Sequence, residues 1–274
     1  MNKIYLLARE EFLGSLRSRW LIIYSLSYLL LAISISPFSL SGLNILGMKA
    51  VGKVLSSLIN LSLYLVPLIS LSMSAISIVG DRETNFMEWI FSKPINEFHY
   101  VMGKFLGLSA ALSLATLIGF GLASWFVILF LPPEDVTKYF QLILIAITLA
   151  LVFIPLGLYI SNISRTRYQA LGTAFFLWFF MVFIFDLFIM GFIESYVKNP
   201  LIASLLGISN PVEAIRILMI KSIDPDLTFL GFTGVFILRE NLMLVLGFSI
   251  TILALYAVLF TILTYYNLKK KDLI

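Results

Sequence analysis

The sequence contains no cysteine and only one histidine, His99, in 274 residues. The absence of cysteine excludes disulfides and thiolate metal sites. One histidine cannot supply a zinc site of the HExxH type, and no serine lies in a glycine-flanked nucleophile elbow, so a hydrolase triad is not expected. The nine methionines are scattered, without the paired spacing of a copper(I) path. We therefore expect no catalytic residue, no metal site and no cofactor on this chain.

Charge is also scarce, since 12% of the residues are charged and 60% are hydrophobic, whereas a typical globular protein has about 25% charged residues. Five runs free of Asp, Glu, Lys and Arg exceed the roughly 20 residues that a helix needs to cross hydrocarbon. A sixth run is broken only by Asp186. The runs cover residues 21–48, 54–80, 105–133, 139–164, 241–268 and, for the sixth, 168–193. None alternates as a membrane β-strand does, so the sequence predicts an all-α integral membrane protein, a single domain over residues 1–274 with six transmembrane helices.

The basic residues indicate how these spans are oriented. An even number of spans places both termini on one side, together with twelve of the nineteen Lys and Arg residues. Positive charge marks the cytoplasmic side, so we expect a multi-pass protein of the cell (inner) membrane with cytoplasmic termini, in contact with membrane lipids. Basic and aromatic residues are not interleaved as in a nucleic-acid platform, so nucleic acid is not an expected partner. The twelve residues are Lys3, Arg9, Arg17, Arg19, Arg82, Lys93, Lys104, Arg165, Arg167, Lys269, Lys270 and Lys271.

Residues 1–19 have helical periodicity before the first apolar run. Apolar side chains recur near one face and charged side chains fall opposite. This pattern predicts an interfacial helix along the cytoplasmic surface, with Trp20 at the level of the headgroups. The alternative is a short soluble tail. The apolar face contains Tyr5, Ala8, Phe12 and Leu16, and the polar face contains Lys3, Glu10 and Arg17.

Residues 80–95, GDRETNFMEWIFSKPI, form a polar island between the second and third apolar runs. Thr84 is a candidate N-cap for a helix of about two turns, and Pro94 ends it. The apolar side of this helix, which includes Ile90, carries too many aromatic residues to be left in water. This predicts a groove for it on a protein or on the membrane surface. The alternative is a simple interfacial loop. The candidate contact residues are Asp81, Glu83, Thr84, Phe86, Met87, Glu88 and Trp89.

Residues 47–54, GMKAVGKV, are close to a phosphate-binding loop. Val54, however, stands where the magnesium-binding Ser or Thr must be, and no strand precedes the loop. We therefore do not expect this chain to hydrolyse ATP by that device.

Asp186 is an intramembrane carboxyl group. Placing a charged carboxylate in hydrocarbon costs about 2.5–3.5 kcal/mol, so it should face the bundle interior or a symmetry mate. The other spans carry no basic residue at mid-depth, so we expect its partners to be hydroxyls, amides, water or a proton. Two interpretations remain open, a structural carboxylic acid bonded across helices and a substrate or proton site.

The longest outer segment, residues 194–240, contains a helix start. Asn210 is in the position of the cap, Pro211 is first in the helix and Glu213 is third. The helix that follows carries Arg216 on its polar side and is predicted to be amphipathic at the outer surface. We expect these four residues to contact an outer partner or to cap a cavity.

Several of these stretches match a known family, in the same order along nearly the whole chain. They are residues 15–21, 80–83, 92–95, 117–121, 185–187 and 210–213, with Arg216. On these residues the chain resembles the membrane permeases of the second class of ABC exporters, and within them those that serve nitrous oxide reductase. It departs from the family where Thr84-Asn85 replaces a glycine pair and where Glu213 replaces an aspartate.

The resemblance implies a six-span protomer that pairs with a second copy of itself as a homodimer. A cytoplasmic ABC ATPase dimer, which holds the ATP and Mg²⁺, would dock beneath it. Residues 80–95 would form the coupling helix that seats in the ATPase, and residues 1–19 would form the elbow helix. A NosD-like protein would sit on the outer side, and the complex would help mature the copper site of the reductase. The alternatives are a lipid or drug exporter of the same family and a proton-linked carrier centred on Asp186.

Overall fold

The computed structural model describes residues 3–19, 21–30, 50–127, 136–196, 200–223 and 242–270, and these ranges contain helices but no strand. A π-helical turn, Phe180–Ile184, joins two of the helices, α7 and α8, into one continuous span, which we call span five. The helices are α1 (Lys3–Leu16), α2 (Leu21–Leu30), α3 (Ala50–Glu83), α4 (Phe86–Phe91), α5 (Glu97–Val127), α6 (Val136–Ile163), α7 (Arg167–Phe179), α8 (Phe185–Tyr196), α9 (Pro200–Ile208), α10 (Pro211–Ile223) and α11 (Leu242–Lys270).

Five helical segments among the described residues are long and apolar enough to cross a membrane, which confirms the predicted all-helical membrane fold. They are Ser56–Glu83, Glu97–Trp125, Val136–Ile163, Arg167–Phe188 and Met243–Lys270. Helix α2 is shorter and begins the predicted first span, whose residues 31–48 lie outside the described part of the chain. Trp20, Lys271 and residues 224–240 of the predicted outer segment lie outside it as well.

Helices α3 and α6 pack against each other at the centre of the bundle. A Cβ atom on Gly157 of α6 would lie 2.9 Å from the carbonyl oxygen of Leu71 in α3, so the two backbones approach as closely as only glycine permits. Three of the buried serines of α3, Ser62, Ser72 and Ser74, donate to carbonyls of their own helix, as Ser62 does to Leu58 at 2.7 Å, whereas Ser77 donates to Glu11 Oε1 of α1 at 2.7 Å. Their small side chains allow neighbouring helices to pack closely against α3, which also contains Pro67.

Helix α1 packs closely against the first turns of α5. A Cβ atom on Gly103 would lie 2.5 Å from the Cβ atom of Leu7, and one on Gly107 would lie 2.6 Å from the carbonyl oxygen of Ala8. The glycine pair of α5 therefore receives α1. Tyr5, which periodicity placed on the apolar face, is 61% exposed, because the face that packs on α5 is rotated away from it.

Helix α1 and the end of α11 lie at the same end of the bundle, near α4. The amide of Asn162, at the end of α6, donates to the carbonyl oxygen of Thr264 in α11 at 3.1 Å. The rings of Phe98, in the first turn of α5, and Tyr265 in α11 have centroids 6.1 Å apart. This placement is the one expected for an even number of spans.

Candidate functional site

Helix α4 begins after a reversal of the chain at Thr84 and Asn85. The predicted cap at Thr84 is wrong, because the Thr84 hydroxyl donates to the carbonyl oxygen of Gly80 at 3.0 Å and so belongs to the end of α3. The residue before α4 is Asn85, with φ 57° and ψ 12°, and its side chain makes no cap bond. Asparagine is one of the few residues that adopt this left-handed conformation readily. One residue therefore sets the angle between α3 and α4.

The side chains of α4 divide into a buried pair and an exposed face. Met87 and Ile90 are buried at 2% exposure each, whereas Phe86 is 39% and Trp89 55% exposed. The rings of Phe86 and Trp89 stack with centroids 5.4 Å apart, and Lys93 Nζ lies 3.3 Å from the centre of the Trp89 ring. Glu88 is exposed beside them. The predicted apolar side is thus split, since half of it anchors α4 and half forms an exposed aromatic face.

A buried ion cluster lies under α4, and we call it the inner cluster; it comprises Glu11, Asp81, Tyr100 and Lys104. Lys104 Nζ lies 2.6 Å from Glu11 Oε2 and 2.7 Å from Asp81 Oδ2. The Tyr100 hydroxyl donates to Asp81 Oδ2 at 2.7 Å. Buried charges are stable only when they are paired and hydrogen-bonded, and each of these charges is. The inner cluster therefore fastens α1, α3 and α5 to one another.

The next two residues of α3 bind the turn between α6 and α7. Arg82 donates to the carbonyl oxygens of Ser164 at 3.0 Å and Asn162 at 3.2 Å. Glu83 pairs with Arg167, whose Nε lies 3.0 Å from Glu83 Oε2. Residues 81–83 thus link the base of α4 to helices α1, α5, α6 and α7.

A cavity of about 490 Å³ lies between α1 and α4. A smaller cavity of about 280 Å³ lies on the other side of Lys104 and is lined by serines of α1 and α3. The two cavities share Glu11, Asp81 and Lys104 as lining residues. The lining of the larger one includes Leu6, Leu7, Glu10, Phe86, Trp89 and Tyr100.

A second ion cluster, the outer cluster, lies at the opposite end of the bundle and comprises Asp186, Glu213 and Arg216. Arg216 Nη1 lies 3.1 Å from Asp186 Oδ2 and also contacts Glu213 Oε1. The expectation that Asp186 has no basic partner is wrong, because α10 brings Arg216 to it. Burial raises the pKa of Glu213 to about 8, although the guanidinium of Arg216 opposes this rise.

Helix α10 is inside the bundle and not on its surface. It packs against α3, α6 and α11, and Asn210, Val212, Glu213 and Ile215 are all buried. The Asn210 side chain accepts from the Val212 amide at 3.0 Å, which confirms its cap role. Contact of Asn210, Pro211, Glu213 and Arg216 with an outer partner remains a prediction.

The predicted residues therefore form two separate sites. Residues 81–89 form the site around α4, whereas Asp186, Asn210, Glu213 and Arg216 form the one around α10. Sequence reasoning missed the partners Glu11, Tyr100, Lys104 and Arg167. For Lys104 a signal existed, since it is a lone lysine between Gly103 and Gly107 in α5. Among the described residues, no group of three or more His, Cys, Asp and Glu side chains is arranged to hold a metal ion.

A multi-pass helical bundle with a short, aromatic surface helix held between two spans has the architecture of a membrane permease. Residues 5–273 match the ABC-2 family transporter proteins, and the chain belongs to this family. It is thus the permease, a transport component, of an ABC transporter, and the family implies an ATPase partner.

Two relatives make the likeness more specific. The chain is 30% identical over 231 residues to the probable ABC transporter permease protein NosY of Pseudomonas aeruginosa, covering 82% of this chain and 84% of that protein. It is 27% identical over 237 residues to the protein of the same description from Stutzerimonas stutzeri, covering 84% and 86%. The chain is therefore a NosY-like permease.

Proposed function

We propose that this chain transmits the movement of a cytoplasmic ATPase dimer across the membrane, with α4 as the coupling helix. ATP and Mg²⁺ bind to the ATPase subunits. The observation that carries this proposal is the exposed aromatic face of α4 above a buried, ion-paired base. Exposed, stacked aromatic side chains are typical anchors of protein interfaces.

The contacts of residues 81–83 give the movement a route into the bundle. A push on α4 passes through its buried anchors, Met87 and Ile90, to the end of α3. From there it reaches α1 and α5 through the inner cluster and α6 and α7 through Arg82 and Glu83. Because packed helices move as rigid elements, the whole cytoplasmic end shifts together.

The proposed assembly is a homodimer that meets along span five. This span is the least buried of the five within the chain. It also carries Asp186, whose side chain is 31% exposed although it is paired with Arg216. A partly exposed ion pair is costly against lipid, so a second copy of the chain is a better cover for this face than acyl chains.

We further propose that the complex serves the copper-site maturation of nitrous oxide reductase, with a NosD-like protein on its outer side. The similarity to two NosY proteins over more than four fifths of the chain supports this role. The competing role is the export of a lipid or a drug.

The test replaces Trp89 by alanine, and in a second variant Glu88, in the complex with its ATPase. Truncating an anchor residue at an interface costs about 2 kcal/mol or more, so we expect the permease to stay in the membrane but to lose its effect on ATPase activity. Copper content of nitrous oxide reductase in cells that carry the variant is the second readout, and we expect it to fall.

The matched control is Trp125→Ala, which makes the same change at a 78% exposed tryptophan at the other end of α5. Normal assembly and ATPase activity in the Trp89→Ala complex would contradict the role of α4. If coupling is lost but nitrous oxide reductase still has its full copper content, the result would favour the export of a lipid or a drug.

A further inference from the structure

Span five is interrupted by the π-helical turn Phe180–Ile184. A π-helical turn bonds each carbonyl to the amide five residues on and thus holds one residue more than an α-helical turn does. Such turns are rare, occur mostly singly within α-helices and are frequent at functional sites. Asp186 follows this turn by two residues, so the turn sets the direction in which its carboxyl group points.

Helix α10 holds the turn and the residues after it at two points. Asn210 Nδ2 donates to the carbonyl oxygen of Met181, inside the turn, at 2.6 Å. Arg216, almost two helical turns further along α10, reaches Asp186 at 3.1 Å. The same Asn210 side chain caps α10 through its oxygen, so one residue fixes both the start of α10 and the π-helical turn.

Helix α3 contacts the turn from another side. The rings of Tyr64 in α3 and Phe183 in the turn stack with centroids 5.6 Å apart. Trp178, just before the turn, donates its indole N–H to the Tyr64 carbonyl oxygen at 2.9 Å. Pro67 follows in the next turn of α3, where its ring disturbs the helix bonding. The helix that leads to α4 therefore touches span five at its one irregular turn.

We propose that this π-helical turn is the part of span five that changes state when α3 moves, and that Asn210 is the positioning residue that holds it in the present state. The proposal rests on the proposed function for the source of the movement. Conversion of the turn to α-helix shifts the hydrogen-bond register by one residue and rotates α8 relative to α7 by about 100°. That rotation carries Asp186 away from Arg216, so either the ion pair between them breaks or α10 moves together with α8. The two bonding patterns of the turn supply the two discrete states that such coupling requires.

The test uses the absence of cysteine from this chain, so that each substitution gives the permease a single labelling position before it is assembled with its ATPase. Leu187→Cys on α8 and Phe176→Cys on α7 introduce labels at positions that are 74% and 66% exposed in the single chain. Each is spin-labelled in the full permease–ATPase complex in lipid nanodiscs, and its accessibility to oxygen is measured without nucleotide and with ATP plus vanadate. We expect a larger change at position 187 than at position 176, because α8 rotates relative to α7, whereas α7 shifts with the cytoplasmic end without rotating.

A second variant, Asn210→Ser, separates the two roles of Asn210. The serine hydroxyl still caps α10 but is too short to reach the Met181 carbonyl, so we expect the label at position 187 to lose its dependence on nucleotide. If Asn210→Ser lowers only the thermal midpoint and the dependence persists, Asn210 does not position the turn.

Equal changes at positions 176 and 187 would show that span five moves as one rigid rod, and no change at either would show that it does not move. Both results would overturn the proposal. If Trp89→Ala still abolishes coupling in the same preparation, the proposed function of α4 stands even though the proposal for the π-helical turn fails.

Discussion

Lys104 shows how a single charged residue is accommodated inside an apolar helix. It is 6% exposed, yet its ammonium group contacts carboxylates from two other helices. Removing one partner from such a buried group typically costs about 3–5 kcal/mol, because the remaining charge is left without compensation. Replacing any one charged residue of the inner cluster is therefore expected to destabilise the whole cluster.

Glu213 gives the outer cluster a dependence on pH. Its pKa is raised from 4.5 to about 8, chiefly by burial, and the Asp186 carboxyl adds to this rise. Between these two values the folded protein holds a proton that the unfolded chain has released, so stability falls as the pH rises from about 5 to about 8 and is level above. In Glu213→Gln we expect this slope of the thermal midpoint to be lost. Glu97→Gln, at the start of α5, is the control; an unchanged slope in Glu213→Gln would show that Glu213 does not carry the proton.

The sequence identified Asp186 as a residue that needs a partner but not which partner it has. Arg216 lies 30 positions away in a helix that was predicted at the surface. One arginine among apolar residues has the pattern of a solvated polar face, and the same pattern arises when a buried arginine finds a carboxylate in another helix. Only the packing of α10 distinguishes the two.

At the scale of elements, the contact between α1 and α5 depends on glycine. A Cβ atom on Gly107 would lie 2.6 Å from a backbone oxygen of α1, whereas one on Gly121 of the same helix meets nothing within 4 Å. We therefore expect Gly107→Ala to lower the thermal midpoint by displacing α1 and weakening the inner cluster. Gly121→Ala should raise it slightly, because alanine favours helix over glycine by about 1 kcal/mol. Equal midpoints in detergent would contradict the close contact.

The existence of α4 could be predicted from its aromatic residues and Pro94, but its cap could not. Thr84 is a good cap by residue type, and the structure instead continues α3 through Glu83 and reverses the chain at Asn85. The helix α3 continues through Glu83 because the partners of residues 81–83 hold it helical to its last turn. Those partners are far apart in sequence, so local propensity carries no signal of them.

For the whole molecule, the homodimer can be tested by cysteine crosslinking. Phe179→Cys on span five is 48% exposed and Leu255→Cys on α11 is 51% exposed, so they form a matched pair. We expect an oxidant to link two copies through position 179 and not through position 255, measured as a dimer band under non-reducing conditions. The reverse result would place the dimer contact on α11.

Composition and the charge-free runs were enough to predict the membrane class, the helical fold and the shared end of α1 and α11. The network that joins residues 81–83 to four helices could not be predicted, because each pair closes a loop of about 20 to 90 residues. Charged residues at the ends of spans also have a sufficient local explanation in membrane orientation. Apart from the glycines on either side of Lys104, nothing in the sequence separates an orienting lysine from a buried, paired one.

The position of α1 also decides where a purification tag or a fluorescent fusion can be attached. The Lys3 ammonium donates to the Pro94 carbonyl oxygen, just beyond α4. With the ATPase docked on α4, as we propose, a fusion placed directly before α1 would occupy the space next to the docking face, and we expect such a protein to purify without the ATPase although its untagged form binds it. A tag carried on a long flexible linker after α11 avoids this obstruction.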